Sequence, residues 1–443
     1  MRCLRRPPYR VAGILGVVVL AALFADRAPR AAETEVNATA TPAADAVNAN
    51  QGSGVANNTN ALVERGRYVA LASNCASCHT RPGGAPYAGG VAFESPVGKI
   101  YSSNITSSAE YGIGKWTAED LRRALHEGIA ANGDRLFPAF PYTSFTQMTD
   151  EDVDALYAYL RTVAADKYQP PANDFPFKQR WAMALWNGLF FEPARFKPDP
   201  KQTPEWNRGA YLVDALGHCG ACHTPRNRFL AEVSANAYQG SNLREYVTAD
   251  KVRDWAAVNL TSAADGLKTW SVDDLTKYLH TGFSLRGGAW GPMNEVVGNS
   301  TSKLTPEDAR AMATYIKSLP VKSLPEGGET KTPVTAAQAA LGQGIYHDRC
   351  EKCHGASGRG GMFSGPPLSG SAIVQSADPD SLINAVLYGA TPPDGINLGA
   401  WETMKPYADI LSDTDIANVA NYVRGSWGNG APPVDAARVA KQR

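Results

Sequence analysis

The sequence lacks an excess of either charge. It contains 43 lysine and arginine residues and 43 aspartate and glutamate residues, so the formal net charge of the 443-residue chain is zero. A nucleic-acid-binding protein normally carries a basic excess that contacts phosphates, so nucleic acid is not an expected partner. With 44% apolar and 19% charged residues, the composition is that of a globular chain. The length suits about three domains of ordinary size.

Long apolar runs are equally scarce. The one such run extends from Val11 to Phe24 and follows several arginines, a pattern typical of an export signal. We interpret residues 1–32 as a signal peptide or N-terminal anchor. Residues 33–60 have few large side chains, which predicts a disordered tether. With no second run of spanning length, the body of the protein is not expected to be integral to the membrane.

Apart from Cys3 in the leader, the sequence has no cysteine outside three Cys-x-x-Cys-His motifs. These are Cys75-Ala-Ser-Cys78-His79, Cys219-Gly-Ala-Cys222-His223 and Cys350-Glu-Lys-Cys353-His354. This pattern is the attachment signature of c-type haem, in which two thiols bond to the macrocycle and the adjacent imidazole coordinates iron. A zinc site would need a second pair of ligands, and a thioredoxin-like pair would need a βαβ pattern. The sequence offers neither, so it predicts three haem c groups.

The three motifs lie in a repeated helical frame. A Gly-x-Tyr precedes each motif, and a helix with a hydroxyl N-cap follows each at Thr149, Thr305 and Ser412. The glycine–tyrosine pairs are Gly66 with Tyr68, Gly209 with Tyr211, and Gly344 with Tyr346. The predicted fold is therefore all-α, with three tandem cytochrome c-type (class I-like) haem domains. Their predicted bounds are 61–170, 206–320 and 335–426, with an aromatic-rich connector at 171–205, a linker at 321–334 and a tail at 427–443.

Methionine, the common sixth ligand of an electron-transfer haem, is also rare, with seven in the chain. Met293 and Met404 lie in irregular segments before the last helix of the second and third units, and both are predicted sixth ligands. In the first unit the corresponding segment contains Phe140 and no methionine. Met148 is the only methionine nearby, and it is a candidate ligand by chemistry. By alignment with Leu304 and Leu411 it is instead a packing residue, and the sequence leaves both interpretations open.

Three such units in one exported chain resemble the trihaem cytochrome c subunit of bacterial membrane-bound dehydrogenases. The resemblance runs from about residue 61 to 427 and includes the segments Tyr101-Ser-Ser-Asn-Ile-Thr106 and His218-Cys-Gly-Ala-Cys-His-Thr-Pro225. It implies a large catalytic partner that holds pyrroloquinoline quinone, flavin or a molybdenum cofactor. A small subunit is a further candidate partner in the complex. That partner would oxidise an alcohol, aldehyde, sugar or sugar acid. Relatives often have methionine where Phe140 stands.

The resemblance predicts a relay that passes electrons from the partner to membrane ubiquinone, with no substrate-oxidising residue in this chain. It also implies a location on the periplasmic side of the cytoplasmic membrane, with peripheral attachment. Two alternatives remain. In the first, the chain is a freestanding periplasmic multihaem electron carrier. In the second, it is a peroxidase-like haem enzyme that uses an open iron in the first unit. The aromatic segment Phe175–Phe196 is interpreted mainly as packing between the first two units, with a membrane or partner contact as the other interpretation.

Overall fold

The computed structural model describes residues 51–95, 98–174, 180, 182–246, 252–322, 333–361, 364–391 and 401–443. The predicted leader and most of the predicted tether and linker lie outside the described residues. Within the described part of the chain, no helix has both the length and the apolar character needed to cross a membrane.

The first repeat (residues 61–170) is mainly helical. Its elements are α1 (Gln51–Ala72), α2 (Cys75–His79), β1 (Ala92–Ser95), β2 (Gly98–Tyr101), α3 (Ala118–Glu127), α4 (Tyr142–Phe145) and α5 (Asp150–Leu160). The hydroxyl of Thr117 accepts a hydrogen bond from the backbone N–H of Asp120, and the carboxylate of Asp120 accepts one from the backbone N–H of Thr117. Helix α3 therefore begins with a full capping box. Helix α1 begins at Gln51 and so includes the last ten residues of the predicted tether. Those residues extend a helix that the first repeat already forms.

One helix, α6 (Ala182–Phe190), lies in the connector, and the second repeat (residues 206–320) follows. Its elements are α7 (Pro204–Ala210), a π-helix (Tyr211–Leu216), α8 (Gly220–His223), β3 (Ser241–Tyr246), β4 (Val252–Ala257), α9 (Val272–Thr281), β5 (Phe283–Ser284), β6 (Gly287–Gly288), α10 (Pro292–Asn299) and α11 (Pro306–Ser318). The π-helix accommodates one residue more between Gly209 and Cys219 than separates Gly66 from Cys75.

The third repeat (residues 335–426) continues to the end of the chain. Its elements are α12 (Ala336–Arg349), α13 (Glu351–His354), α14 (Ala372–Gln375), α15 (Asp380–Tyr388), α16 (Asp413–Gly425) and α17 (Ala436–Gln442). Residues 427–443, predicted as a tail, pack against this repeat. Val434 and Val439 are buried in the core of this repeat, and Arg438 forms ion pairs with Asp378 and Asp380. Burial of these apolar side chains holds the segment against the rest of the repeat.

The all-α prediction is incomplete, because the described residues also contain three small antiparallel hairpins: β1–β2, β3–β4 and β5–β6. In the longest, Leu243 of β3 pairs with Trp255 of β4. The hairpin also joins two repeats, because Ser381 of α15 accepts from the backbone N–H of Ala256 and donates to its carbonyl oxygen. The fold is therefore helix-rich, with short strands that sequence periodicity did not reveal.

The first and second repeats share one hydrophobic core, whereas the third has its own. The shared core includes Leu156 and Leu160 of the first repeat together with Leu212 and Ile316 of the second. The other core is built within the third repeat, from side chains such as Ile416 of α16. The first two repeats therefore depend on each other for burial of apolar surface, and the third does not.

Two tyrosines exchanged between the first and second repeats reinforce this pairing. The Tyr68 hydroxyl donates to Asp308 Oδ2 over 2.5 Å and accepts from the Thr305 N–H over 3.1 Å. Tyr211 of the second repeat makes the equivalent bonds to the first repeat. Its hydroxyl donates to Asp152 Oδ2 over 2.6 Å and accepts from the Thr149 N–H over 3.1 Å. Each tyrosine thus supports the capped start of the partner repeat's last helix, in a pseudo-two-fold arrangement.

Glycine packing corrects the predicted alignment of the third repeat. A Cβ added to Gly66, Gly209 or Gly342 would lie 1.8, 1.9 or 2.2 Å from a carbonyl oxygen of the last helix of the same repeat. For Gly344, no described atom lies within 4 Å of such a Cβ. Gly342 is therefore the counterpart of the first two glycines, and the pairing of Gly344 with Tyr346 is wrong. Gly344 stands where Tyr68 and Tyr211 stand, so the third repeat lacks the exchanged tyrosine.

This correction predicts opposite effects for two neighbouring substitutions. Gly342→Ala places a methyl group against the Asn418 carbonyl oxygen, and we expect it to lower the free energy of unfolding by roughly 1–3 kcal/mol. Gly344→Ala has space and gains up to about 1 kcal/mol of helix propensity. Denaturant unfolding of both variants measures the difference. Equal destabilisation would contradict the corrected alignment.

Candidate haem sites

The three motif histidines have the same environment. Each imidazole Nδ1 lies within hydrogen-bonding distance of a backbone carbonyl oxygen: His79 with Ser103 at 2.7 Å, His223 with Val258 at 2.8 Å and His354 with Pro366 at 2.8 Å. Since a carbonyl only accepts, Nδ1 carries the proton, and Nε2 is left as the free lone pair. This is the orientation that a metal-ligating imidazole takes.

The pKa values suit haem attachment better than a dithiol redox site. Burial lowers the pKa of all three motif imidazoles, which favours the neutral form that binds metal. Burial also raises the pKa of the Cys75, Cys78 and Cys219 thiols to about 12 and that of Cys350 to about 11. Redox-active dithiols have at least one cysteine with a lowered pKa instead. Two thiols and one oriented imidazole on a single helical turn fit a covalently held haem, whose iron would supply the one-electron redox chemistry.

The predicted sixth ligands differ in burial. Met293 lies at the start of α10, and Met404 pairs with Ala390 through two backbone hydrogen bonds. Both side chains are partly exposed, whereas Met148 is fully buried in the shared core with Leu304. A thioether that binds iron must face the haem rather than be enclosed by other side chains. The geometry of Met148 therefore matches the packing interpretation more closely than the ligand interpretation.

Phe140 links the first site to the second motif. Its side chain is partly exposed, and its ring centroid lies 5.5 Å from that of Phe145. The Phe145 ring in turn lies 5.4 Å from the ring of His218, in an edge-to-face contact. His218 directly precedes Cys219, so this aromatic contact connects the segment lacking methionine with the second motif.

Helix α10, which carries Met293, touches the other two candidate sites. At its C-terminal end, Asn299 Nδ2 donates to the hydroxyl of Ser77 over 2.9 Å, and Ser77 lies between Cys75 and Cys78. Near its N-terminus, Asn294 Nδ2 donates to the carbonyl oxygen of Thr391 over 2.8 Å. Thr391 follows Ala390, the backbone partner of Met404. Sequence reasoning missed both asparagines, because neither belongs to a repeated motif.

The connector packs against both of the first two repeats. The Tyr142 hydroxyl donates to Asn187 Oδ1 of α6 over 2.7 Å, and Trp186 Nε1 donates to the Phe229 carbonyl oxygen over 2.8 Å. The opposite face of α6 is open, since Leu185 and Leu189 are 64% and 66% exposed. Phe175 and Trp181, which the same prediction included, lie outside the described residues.

Comparison with known proteins identifies relatives along most of the chain. The family described as Cytochrome c matches residues 63–164 and 339–427. The cytochrome c subunit of alcohol dehydrogenase (quinone) from Gluconacetobacter polyoxogenes is 39% identical over 86% of this chain and 84% of its own. The gluconate 2-dehydrogenase cytochrome c subunit of Pantoea cypripedii is 37% identical over 84% of this chain and 87% of its own. A nicotinate dehydrogenase subunit from Pseudomonas putida is 40% identical over 86% of this chain, which spans 31% of that longer protein.

Proposed function

The chain belongs to the family of cytochrome c subunits of bacterial dehydrogenases, as the sequence motifs led us to expect, and on this basis we propose that it relays electrons through three covalently bound haems. The proposed fold is three tandem cytochrome c-type domains. Each would hold haem through its two motif cysteines and its motif histidine. The electrons would come from a catalytic dehydrogenase subunit and leave to ubiquinone at the membrane.

The contacts of α10 are the observation that carries the relay. Helix α10, which carries the proposed ligand Met293, is hydrogen-bonded to the first motif through Asn299. Through Asn294 it is hydrogen-bonded to Thr391, next to the backbone partner of Met404. Such contacts would hold neighbouring haems at fixed spacing, which is the protein's contribution to electron transfer.

The proposed ligand set differs among the sites. His223 with Met293 and His354 with Met404 would give two haems with histidine–methionine ligation and a raised potential. The proposed first site has His79 without a methionine, since Met148 fills the core and Phe140 stands nearby. The first haem would therefore differ from the other two in ligation and potential.

The partner and its substrate follow from the relatives. Their names include an alcohol, gluconate and nicotinate dehydrogenase. We propose a large catalytic subunit with pyrroloquinoline quinone, flavin or a molybdenum cofactor, with a small subunit as a further member of the complex. This chain would contribute no residue to substrate oxidation.

Affinity purification from gently solubilised membranes tests this function. We expect a large subunit to co-purify with the tagged chain, and we expect one of ethanol, acetaldehyde, gluconate, fructose and nicotinate to reduce its haems. The matched control is the chain produced alone, which should stay oxidised with every substrate. A lone trihaem protein that no substrate reduces would contradict the subunit assignment and favour the freestanding carrier.

A peroxidase-like activity is the second candidate, and it rests on the first site alone. In the first repeat the segment before the last helix contains Phe140 and, before the enclosed Met148, no methionine, so the proposed first iron would be the one most open to a small ligand. Rapid, haem-dependent consumption of hydrogen peroxide by the reduced protein would favour this candidate. Ferrous protein with three low-spin haems that bind no carbon monoxide would exclude it.

We further propose that the protein works on the periplasmic side and attaches peripherally through a surface formed by Leu185, Leu189 and Phe229. These three side chains are exposed, and Phe229 is in ring contact with Phe190 of the same helix as the leucines. The guanidinium of Arg228 lies 4.9 Å from the Phe229 ring. Apolar side chains beside arginine suit the interface of an anionic bilayer.

The double variant L185E/L189E tests this surface. We expect it to lose at least tenfold in binding to vesicles that contain anionic phospholipid, because two charges replace the inserting leucines. The matched control is V321E/I410E, which changes two similarly exposed apolar residues elsewhere. Vesicle co-sedimentation measures the binding. Equal loss in both variants, or in neither, would contradict the proposed surface.

A further inference from the structure

Asp214 occupies a position in the second repeat that has no counterpart in the first. It lies on the π-helix, and its carboxylate accepts a short hydrogen bond from the Tyr238 hydroxyl and another from Tyr315 at 2.7 Å. Both tyrosines are buried, and the carboxylate is partly buried between them. Burial raises the pKa of the Asp214 carboxyl above its usual value, and the two hydrogen bonds oppose that rise. The two hydroxyls each donate to a different carboxylate oxygen, which is the arrangement that stabilises an ionised carboxylate.

The first repeat provides an internal comparison. Tyr87 and Tyr159 are the counterparts of Tyr238 and Tyr315. The backbone N–H of Tyr87 donates to Thr80, as that of Tyr238 donates to Thr224, and Tyr159 lies on the last helix as Tyr315 does. In the first repeat the two hydroxyls lie 3.4 Å apart with no carboxylate between them. Counting five residues on from Gly66, as Asp214 is five on from Gly209, gives Leu71, and counting back five from Cys75, as Asp214 is five before Cys219, gives Ala70. Either way the residue in the first repeat is apolar.

The cluster lies beside the second motif. The backbone N–H of Cys219 donates to the carbonyl oxygen of Val213, the residue before Asp214, over 3.1 Å. The tyrosine hydroxyls are its hydrogen-bond donors, and no described lysine or arginine forms an ion pair with it. An uncompensated charge in a partly buried site acts on its neighbours more strongly than one in water.

We infer that Asp214 is a tuning residue for the second haem, and that its negative charge lowers the reduction potential of that haem. The inference rests on the proposed function, because it requires Cys219, Cys222 and His223 to hold a haem. A fixed negative charge stabilises ferric iron more than ferrous iron, since the ferric state carries one more positive charge. Net charge near the cofactor would thus adjust the potential of this haem in addition to its axial ligation.

Spectroelectrochemical titration of the intact three-haem protein tests this inference. We expect Asp214→Asn, which is isosteric and neutral, to raise a single one of the three midpoint potentials. We expect the ratio of ferrous to ferric haem at a fixed potential to rise about tenfold, which corresponds to a rise of about 59 mV in the midpoint potential of this one-electron couple. Asp214→Glu keeps the charge and should restore the potential towards the wild-type value. Asp273→Asn removes an exposed carboxylate of the same repeat and should change no potential, because solvent screens it.

Each outcome decides the question. An unchanged set of potentials in Asp214→Asn, or an equal rise in all three, would overturn the inference. Asp214→Leu copies the first repeat and serves as a second neutral variant. If neither neutral variant holds its haem, the cluster is structural and the inference fails. A wild-type chain whose mass corresponds to fewer than three haems would instead refute the proposed function.

Discussion

Replacing Met293 by leucine is expected to open the second haem iron to carbon monoxide, whereas replacing Met148 by leucine leaves carbon monoxide binding unchanged. Leucine matches methionine in size, so either change should cost less than about 1.5 kcal/mol of stability. It has no sulfur, however, and cannot bind iron. Met293 lies partly exposed on α10, and Met148 is fully buried in the shared core.

The measurement is the amount of carbon monoxide bound per ferrous protein. Met293→Leu and Met404→Leu should each add one equivalent to what the wild type binds, and the double variant should add two. Loss of a methionine ligand also lowers the potential of that haem, since histidine–methionine ligation raises it. Met148→Leu is the matched control, with the same substitution at a packing site.

Two results would contradict this ligand assignment. One is an extra equivalent of carbon monoxide in Met148→Leu, which would make Met148 a ligand. The other is no extra equivalent in Met293→Leu or Met404→Leu. The wild-type amount is informative by itself, because one bound equivalent would mean that the first iron is open beside Phe140.

Removing the cysteines of the third motif should have a much smaller structural effect than removing those of the second. In C350A/C353A the third repeat loses its haem, but the first two repeats keep their shared core and exchanged tyrosines. In C219A/C222A the affected repeat supplies half of that core. We therefore expect C219A/C222A to destabilise the first repeat too, although its own motif is intact.

Intact mass and limited proteolysis separate these effects. Both variants should fall from three covalent haems to two, because attachment is local to each motif. Cleavage within residues 61–320 should remain at the wild-type rate in C350A/C353A and rise at least about tenfold in C219A/C222A. The same rate in both variants would contradict the division into a paired core and a separate one.

The sequence alone determined the parts of the protein whose chemistry is local. The cysteines and the histidine of each motif lie on one helical turn, and caps such as Thr117 with Asp120 are complete within four residues. For these features the spacing along the chain is also the spacing in space. The capped last helix of each repeat and the family could therefore be predicted before the structure, and the haem attachment residues remain a prediction.

Contacts between residues far apart in the chain could be decided only by the tertiary structure. Tyr68 bonds Asp308, Asn299 bonds Ser77 and Tyr315 bonds Asp214, and no periodicity in the sequence indicates any of these pairs. The alignment of Gly342 likewise depended on how closely two helices approach. Repetition specifies each unit but not how one unit packs on the next, because that depends on side-chain shape and hydrogen bonding across the whole fold.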